Sequence, residues 1–63
     1  MRPNIEAERA KRMMTKGALS AELGVCQKTY MAYVLGQRAI PSDILIRMAE
    51  MFQCSIEYLL EER

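Results

Sequence analysis

The chain has no histidine and no tryptophan, and only two of its 63 residues are cysteine. Two distant thiols without histidine cannot complete a tetrahedral zinc site within one chain. We expect Cys26 and Cys54 to be free thiols rather than a disulfide, since a reducing cytoplasm keeps thiols reduced. The sequence also lacks a nucleophile beside a base and a glycine-rich phosphate loop. It therefore does not indicate an enzyme, and it indicates no cofactor.

Long apolar runs are also missing. No segment approaches the ~20 apolar residues that cross a membrane. The first residues, MRPNIEAERAKRMM, lack the apolar stretch of a signal peptide. Apolar residues nevertheless make up 51% of the chain, which suits a compact core and not a disordered segment. We expect one small cytoplasmic domain over residues 1–63, with neither a membrane partner nor a small-molecule ligand.

Charge is nearly balanced overall, at a net +1, but it is unevenly distributed. Residues 1–38 carry seven basic and three acidic side chains, a net of +4, whereas residues 39–63 carry two basic and five acidic ones, a net of −3. A basic half beside an acidic half suits phosphate binding at one end. Ordinary surface scatter in a short chain is the alternative explanation.

Apolar spacing and capping residues predict an all-α fold. Asn4, Thr15 and Ser55 are placed to cap helix starts, and Gly24 and Gly36 to end helices. The predicted helices span residues 4–14, 15–23, 26–35, 42–52 and 55–61.

The first helix has an unusual inner stripe. Ile5 and Met13 are expected in the core, as is Met48 on the fourth helix. Arg9 falls on the same stripe as Ile5, and an inward-facing charge needs a partner or a route for its head group to reach water.

Residues 15–35 organise the chain as a helix-turn-helix. Leu19 and Leu23 share one face of the first helix of the pair because they are four residues apart. Gly24 can take the positive φ needed where that helix stops, and Val25 follows as an apolar plug. The second helix of such a pair can enter the major groove of DNA.

The helix that begins near Gln27 has two different faces. The predicted inner face contains Cys26, Thr29, Tyr30 and Tyr33. The predicted outer face contains Gln27, Lys28, Met31, Ala32 and Leu35. Glutamine can form a two-point hydrogen bond with adenine, lysine can donate to guanine or phosphate, and apolar side chains can touch thymine methyl groups. These chemistries predict base reading by Gln27, Lys28, Met31 and Ala32. The alternative is that this face packs on another protein, which Met31 and Leu35 would favour.

Two residues at the start of the second helix do not suit an isolated helix. Lys16 is disfavoured there by the helix dipole, whereas a nearby phosphate would favour it. Gly17 costs about 1 kcal/mol relative to alanine, so we expect another group to approach the backbone closely at that position.

The ordered set of these features resembles the phage repressor and Cro type of helix-turn-helix domain. The resemblance covers residues 4–60. It rests on Arg9, Thr15, Leu19, Leu23-Gly24-Val25, Thr29, Gly36, Arg38, Pro41-Ser42, Leu45, Met48-Ala49, Ser55-Ile56 and Tyr58-Leu59-Leu60. It implies a compact five-helix lambda-repressor-like fold that binds operator DNA, commonly as a homodimer on a near-palindromic site.

The resemblance also assigns roles to residues. Base edges would be read by Gln27, Lys28 and Ala32. Phosphates would be held by Thr15, Lys16, Gln37 and Arg38. We accordingly interpret the chain as a sequence-specific transcriptional regulator, most simply a repressor from a bacterium, phage or mobile element. The resemblance does not give the dimer surface; we expect it at the fifth helix and the tail, with Tyr58, Leu60 and Arg63. The competing interpretation is a protein-interaction module on the same fold, such as an anti-regulator or an antitoxin-like partner.

The chain also departs from the family pattern. Val34 stands where a glutamate usually pairs with the arginine of the first helix. We therefore predict that Arg9 swings outward or binds Glu6 or carbonyls at a helix end, since an unpaired buried charge would cost ~3–5 kcal/mol. Cys26 replaces the usual capping hydroxyl, and a thiol is a weaker acceptor. Tyr30 replaces an aliphatic residue.

Overall fold

Five α-helices and no strands form the chain in the computed structural model, which describes residues 1–63. The helices are α1 Pro3–Lys11, α2 Lys16–Leu23, α3 Gln27–Val34, α4 Ser42–Phe52 and α5 Ile56–Leu60. This arrangement confirms the all-α class and the helix-turn-helix formed by α2 and α3. None of the helices combines the length and apolar character needed to span a membrane.

The ends of the helices follow the capping residues at four of the five predicted positions, which are Thr15, Ser55, Gly24 and Gly36, the last with a φ of 77° just after α3. The Thr15 hydroxyl accepts a hydrogen bond from the Ala18 amide at 3.0 Å, and the Ser55 hydroxyl accepts one from the Tyr58 amide at 3.1 Å. Gly24 closes α2 with a φ of 73°, a left-handed conformation that glycine adopts without steric cost. The turn at Gly24 is the one that directs the chain from α2 into α3.

The predicted cap at Asn4 is wrong. Helix α1 begins at Pro3, one residue before Asn4. Proline suits this first helical position because its φ is already helical and its missing N–H is not needed there. The Asn4 side chain instead donates from Nδ2 to the Tyr58 carbonyl at 2.8 Å, which connects α1 to α5.

The predicted burial of Met13 is also wrong. Helix α1 ends at Lys11, and Met13 takes a φ of 56° with 92% of its surface exposed. The helical spacing that placed Met13 on the inner stripe with Ile5 does not extend past the end of the helix. Met14, the next residue, packs against the core instead.

Replacing Met13 with glycine should raise the free energy of unfolding by about 0.5–1 kcal/mol. The side chain buries almost nothing, whereas a left-handed φ costs an ordinary residue roughly 1 kcal/mol. Urea unfolding measures the change. Ala10→Gly, at an exposed position within α1, is the control and should lower stability by about 1 kcal/mol. A loss of stability in Met13→Gly would contradict this explanation.

The core lies where all five helices meet. Its eleven buried apolar residues are Ile5, Leu19, Leu23, Tyr30, Tyr33, Val34, Ile40, Leu45, Met48, Phe52 and Leu59. Helix α1 packs against α3 and α5, and α4 packs against α2 and α5. The helix-turn-helix therefore rests on α1 and α4, and the start of α3 remains open to solvent.

Candidate functional site

The first turn of α3 presents two polar side chains to solvent. Gln27 and Lys28 are both exposed, while Tyr30, Tyr33 and Val34 on the opposite side of α3 are buried. The Lys28 side chain forms no hydrogen bond or ion pair within the chain. Two of the four residues predicted to read bases, Gln27 and Lys28, therefore lie on the open side of the helix.

Gly17 lets the side chain of Gln27 lie against the start of α2. A Cβ atom added at Gly17 would be 3.0 Å from Gln27 Nε2 and 3.9 Å from Thr15 Oγ1. A distance of 3.0 Å is tighter than most real Cβ contacts, so a side chain at position 17 would push the exposed end of Gln27 aside by a few tenths of an ångström. The expected close approach at Gly17 is confirmed, and it brings the starts of α2 and α3 together.

The start of α2 carries two of the predicted phosphate contacts. The exposed Thr15 hydroxyl accepts the capping hydrogen bond from Ala18 and can still donate its own proton. Lys16 is also exposed, with its Nζ atom 3.9 Å from Glu6 Oε1. At that distance the ammonium group is only loosely paired, so a phosphate could replace the carboxylate.

The loop after α3 carries the other two. Gly36 has a φ of 77°, and Gln37 and Arg38 follow it as exposed residues. The Arg38 side chain has no hydrogen bond or ion pair within the chain. Its carbonyl, however, accepts a hydrogen bond of 2.9 Å from Arg2 Nη1.

The other residues of the predicted outer face are less open. Met31 and Ala32 are half-buried, and Met31 packs against the core, whereas Leu35 is 45% exposed. Cys26 was predicted on the inner face, which is wrong, because it is exposed. As the residue before the helix, Cys26 does not follow the helical wheel.

Cys26 does not replace the missing capping hydroxyl, because its side chain makes no capping hydrogen bond. Its Sγ atom lies instead 3.3 Å from Thr29 Oγ1. This contact lowers the pKa of the Cys26 thiol below its usual value.

Arg9 has the partners predicted for it. Its Nε atom donates to Glu6 Oε2 at 2.7 Å, and its Nη1 atom donates to the Met14 carbonyl at 2.6 Å. Tyr30 on α3 donates from its hydroxyl to the same Glu6 oxygen at 2.6 Å. Glu6 thus supplies the carboxylate that Val34 cannot, and Tyr30 links that carboxylate to α3.

These contacts shift the ionisation of both partners. Burial alone raises the pKa of Glu6, but hydrogen bonds from Arg9 and Tyr30 and the charges of Arg9 and Lys16 outweigh it, so the pKa is lowered. Burial, together with the neighbouring carboxylate, raises the pKa of Tyr30 far above its usual value. At neutral pH Glu6 is charged and Tyr30 keeps its proton.

Arg2 is a residue that the sequence did not single out. It is only 8% exposed, and its Nη1 atom donates to the carbonyls of Tyr33 at 2.7 Å and Arg38 at 2.9 Å. Because these contacts join residues 31 and 36 positions apart, no local pattern could have indicated them.

The one cleft of the molecule lies away from this surface, and no metal-binding group forms. One open cleft of about 610 Å³ lies between α1, α4 and α5, and its lining includes Glu8, Arg12, Phe52 and Tyr58. It contains none of the residues predicted to contact DNA. No three His, Cys, Asp or Glu side chains come together in a group that could hold a metal ion.

The family model described as helix-turn-helix matches residues 5–59, which span both helices of the pair and most of the fold. No curated protein and no solved structure matches the chain. The matched model is of the Cro/C1 type, a class of DNA-binding regulators that are generally not enzymes. The chain therefore belongs to the Cro/C1-type helix-turn-helix family.

Proposed function

We propose that this protein is a transcriptional repressor that recognises a specific double-stranded DNA sequence by inserting α3 into the major groove. The observation that carries the proposal is the exposure of Gln27 and Lys28 on the first turn of α3, within a chain that the family model matches over residues 5–59. In a helix-turn-helix, this first turn of the second helix is the part that meets base edges.

Gln27 and Lys28 supply the sequence-reading chemistry. The nitrogen of the Gln27 amide can donate to N7 of an adenine while its oxygen accepts from N6 of the same base. Lys28 can donate to the acceptors of guanine or to a phosphate. Ala32 and the exposed part of Met31, farther along α3, are suited to a thymine methyl group. Gly17 supports this role because it leaves the Gln27 amide room beside α2.

Four residues would hold the backbone on either side of the groove. Thr15 and Lys16 lie at the start of α2, where backbone N–H groups and the helix dipole favour an anion. Gln37 and Arg38 lie in the loop after α3, and the Arg38 guanidinium is free to form a two-point contact with phosphate.

Two copies would bind a near-palindromic operator, with their α3 helices ~34 Å apart on one face of the duplex. We place the dimer surface at α5 and the residues after it, where Leu60 is 37% exposed and Arg63 is exposed. Tyr58 in this region is half-buried, because its hydroxyl donates to Glu8 Oε2 at 2.9 Å. Such a repressor would act in the cytoplasm of a bacterium or of a phage-infected cell.

The test begins with selection of bound duplexes from random DNA, followed by replacement of Gln27 with alanine. We expect Gln27→Ala to lose about 1–3 kcal/mol of discrimination at one base position, because the two-point contact is lost. Fluorescence anisotropy with the selected duplex and single-base variants measures this loss. Gln53→Asn is the control, since Gln53 is exposed at the far end of α4 and asparagine tolerates its left-handed φ of 53°.

Two results would contradict the proposal. An equal loss of affinity for every duplex in Gln27→Ala would show that Gln27 does not read a base. If the wild type enriched no sequence, and its DNA affinity did not fall steeply with salt, phosphate binding itself would be excluded. That second result would favour the protein-interaction alternative, for which Leu35 is the exposed apolar residue at the end of α3.

A further inference from the structure

Arg2 is the one arginine of the chain that is buried, and it lies at the C-terminal end of α3. Its Nη1 atom donates to the carbonyls of Tyr33 and Arg38 at 2.7 and 2.9 Å. Its backbone N–H donates to the Val34 carbonyl at 2.6 Å. Arg2 therefore occupies three acceptors at the end of α3 and in the loop that follows.

The environment explains why a buried arginine is held there. The last carbonyls of a helix have no partner within the helix, and the helix dipole places partial negative charge at this end. A guanidinium group satisfies both conditions, and its charge strengthens each hydrogen bond. The formal counter-charge, Glu62, is 3.8 Å from Nη2 with its side chain 60% exposed, so that ion pair contributes little.

The two carbonyls bound by Nη1 belong to different parts of the proposed DNA surface. Tyr33 is in α3, the helix that would read bases, whereas Arg38 is in the loop that would hold phosphate. The segment after α3 bonds directly to the helix through three amides: Leu35 to the Met31 carbonyl at 2.9 Å, Gly36 to the Tyr33 carbonyl at 3.2 Å and Gln37 to the Ala32 carbonyl at 2.9 Å. At Arg38 itself, Arg2 is the only connection.

We propose that Arg2 is a positioning residue for DNA binding: by bridging the carbonyls of Tyr33 and Arg38, it fixes the loop after α3 so that Arg38 meets a phosphate beside the groove. This inference rests on the proposed function. Arg2, which is distant in sequence and buried away from DNA, would thereby control the phosphate contact of Arg38.

The chain provides a matched control in Arg12. Arg12 donates from Nη2 to the carbonyl of Phe52 at 2.8 Å, so it also satisfies the end of a helix, in this case α4. It pairs with Glu8, and none of its partners is in the proposed DNA surface. Arg2→Ala and Arg12→Ala both remove a guanidinium from a helix end, but only Arg2→Ala should affect DNA binding.

The first measurement needs no DNA. Native-state amide hydrogen exchange should become at least about tenfold faster at Gly36 and Gln37 in Arg2→Ala, since the variant loses two charge-assisted hydrogen bonds and the loss of one would already loosen the loop by this factor. In Arg12→Ala the exchange rates of the same amides should change only as much as the loss of global stability requires. Unchanged exchange at Gly36 and Gln37 in folded Arg2→Ala would overturn the proposal.

The second measurement is a double-mutant cycle with the selected duplex, under conditions in which every variant is folded. Arg38→Ala and Arg2→Ala should each weaken binding roughly tenfold. The double variant should bind no more weakly than Arg38→Ala, because Arg2 acts through Arg38. Arg12→Ala should bind as the wild type does.

The outcomes separate the two proposals. If the wild type binds a selected duplex and the losses in Arg2→Ala and Arg38→Ala simply add, Arg2 does not act through Arg38 and this inference is overturned alone. Equal weakening by Arg12→Ala would also overturn it, because loss of a helix-end contact anywhere would then suffice. If the wild type binds no duplex, the proposed function fails and the role of Arg2 in it fails as well.

Discussion

Replacing Glu6 with alanine should lower the free energy of unfolding by about 2–3 kcal/mol, a large part of what a domain of this size has to spare. The carboxylate accepts hydrogen bonds from Arg9 at 2.7 Å and from Tyr30 at 2.6 Å. Without it, the Tyr30 hydroxyl, on a residue only 1% exposed, loses its acceptor, and Arg9 keeps only the Met14 carbonyl. We set the value below that of a fully buried pair because the Glu6 side chain is 23% exposed.

Thermal or urea unfolding measures this loss, and each kcal/mol should shift the melting temperature by roughly 4–8 °C in a domain of this size. Glu50→Ala is the control, because Glu50 is exposed on α4 and makes no ion pair; it should change stability by less than about 0.5 kcal/mol. If Glu6→Ala changed the free energy of unfolding as little as the control does, Arg9 and Tyr30 would have other sufficient partners. The explanation that Glu6 takes the place of the family's glutamate would then be refuted.

Acid should destabilise the fold sharply below about pH 4.5. The pKa of Glu6 is lowered because hydrogen bonds and nearby positive charges outweigh burial, and that of Glu8 is lowered chiefly by hydrogen bonds from Arg12 and Tyr58. An unfolded glutamate has a pKa of about 4.3, so near that pH the unfolded chain binds more protons than the folded one. The stabilisation is complete well above pH 4.5 and is lost as the pH falls through the lowered pKa values.

Melting temperatures recorded from pH 7 to pH 3 at low salt would show this loss. Glu6→Gln and Glu8→Gln should each flatten the acid limb, because each removes one of the groups that titrate differently in the two states. Glu50→Gln should leave the wild-type profile intact, since the Glu50 carboxylate has no partner. A wild-type melting temperature that stayed constant down to pH 3 would show that these carboxylates do not contribute as described.

Much of the fold could be predicted because its signals are local. Thr15 and Ser55 cap the helices they precede, and Gly24 makes the turn that defines the helix-turn-helix. The partner of Arg9 could also be predicted, because Glu6 lies only three residues away on the same helix. In each case the interacting groups are close in sequence, so spacing and residue type were sufficient.

Two errors arose where a helical pattern was extended past the end of a helix. Met13 and Cys26 lie outside the helices, and there the helical wheel no longer gives the direction of a side chain. The error at Asn4 was in the start of a helix. At the first helix, the preference of Pro3 for the first helical position outweighed the capping preference of Asn4. At its other end, the early stop at Lys11 turned Met13 out to solvent.

The residue types of the candidate site could be predicted from the sequence. The hydrogen bonds that hold those residues in place could not. The side-chain chemistry of Gln27, Lys28 and Arg38 could be deduced from sequence. That Arg2 supports the loop, or that Tyr30 donates to Glu6 across two helices, depends on contacts between residues distant in the chain. Such contacts exist only once the core has brought α1 and α3 together.

The bare backbone at Gly17 has a consequence for engineering new DNA specificities. Residue 27 lies against residue 17, since Gln27 Nε2 is 3.0 Å from the point where a side chain at 17 would begin. A library that randomised position 27 alone would keep the space left by Gly17 beside every new side chain. Short side chains at 27 would then not contact α2. Libraries made for retargeting this domain should therefore randomise both positions jointly, so that each new side chain at 27 is selected together with a residue at 17 that packs against it.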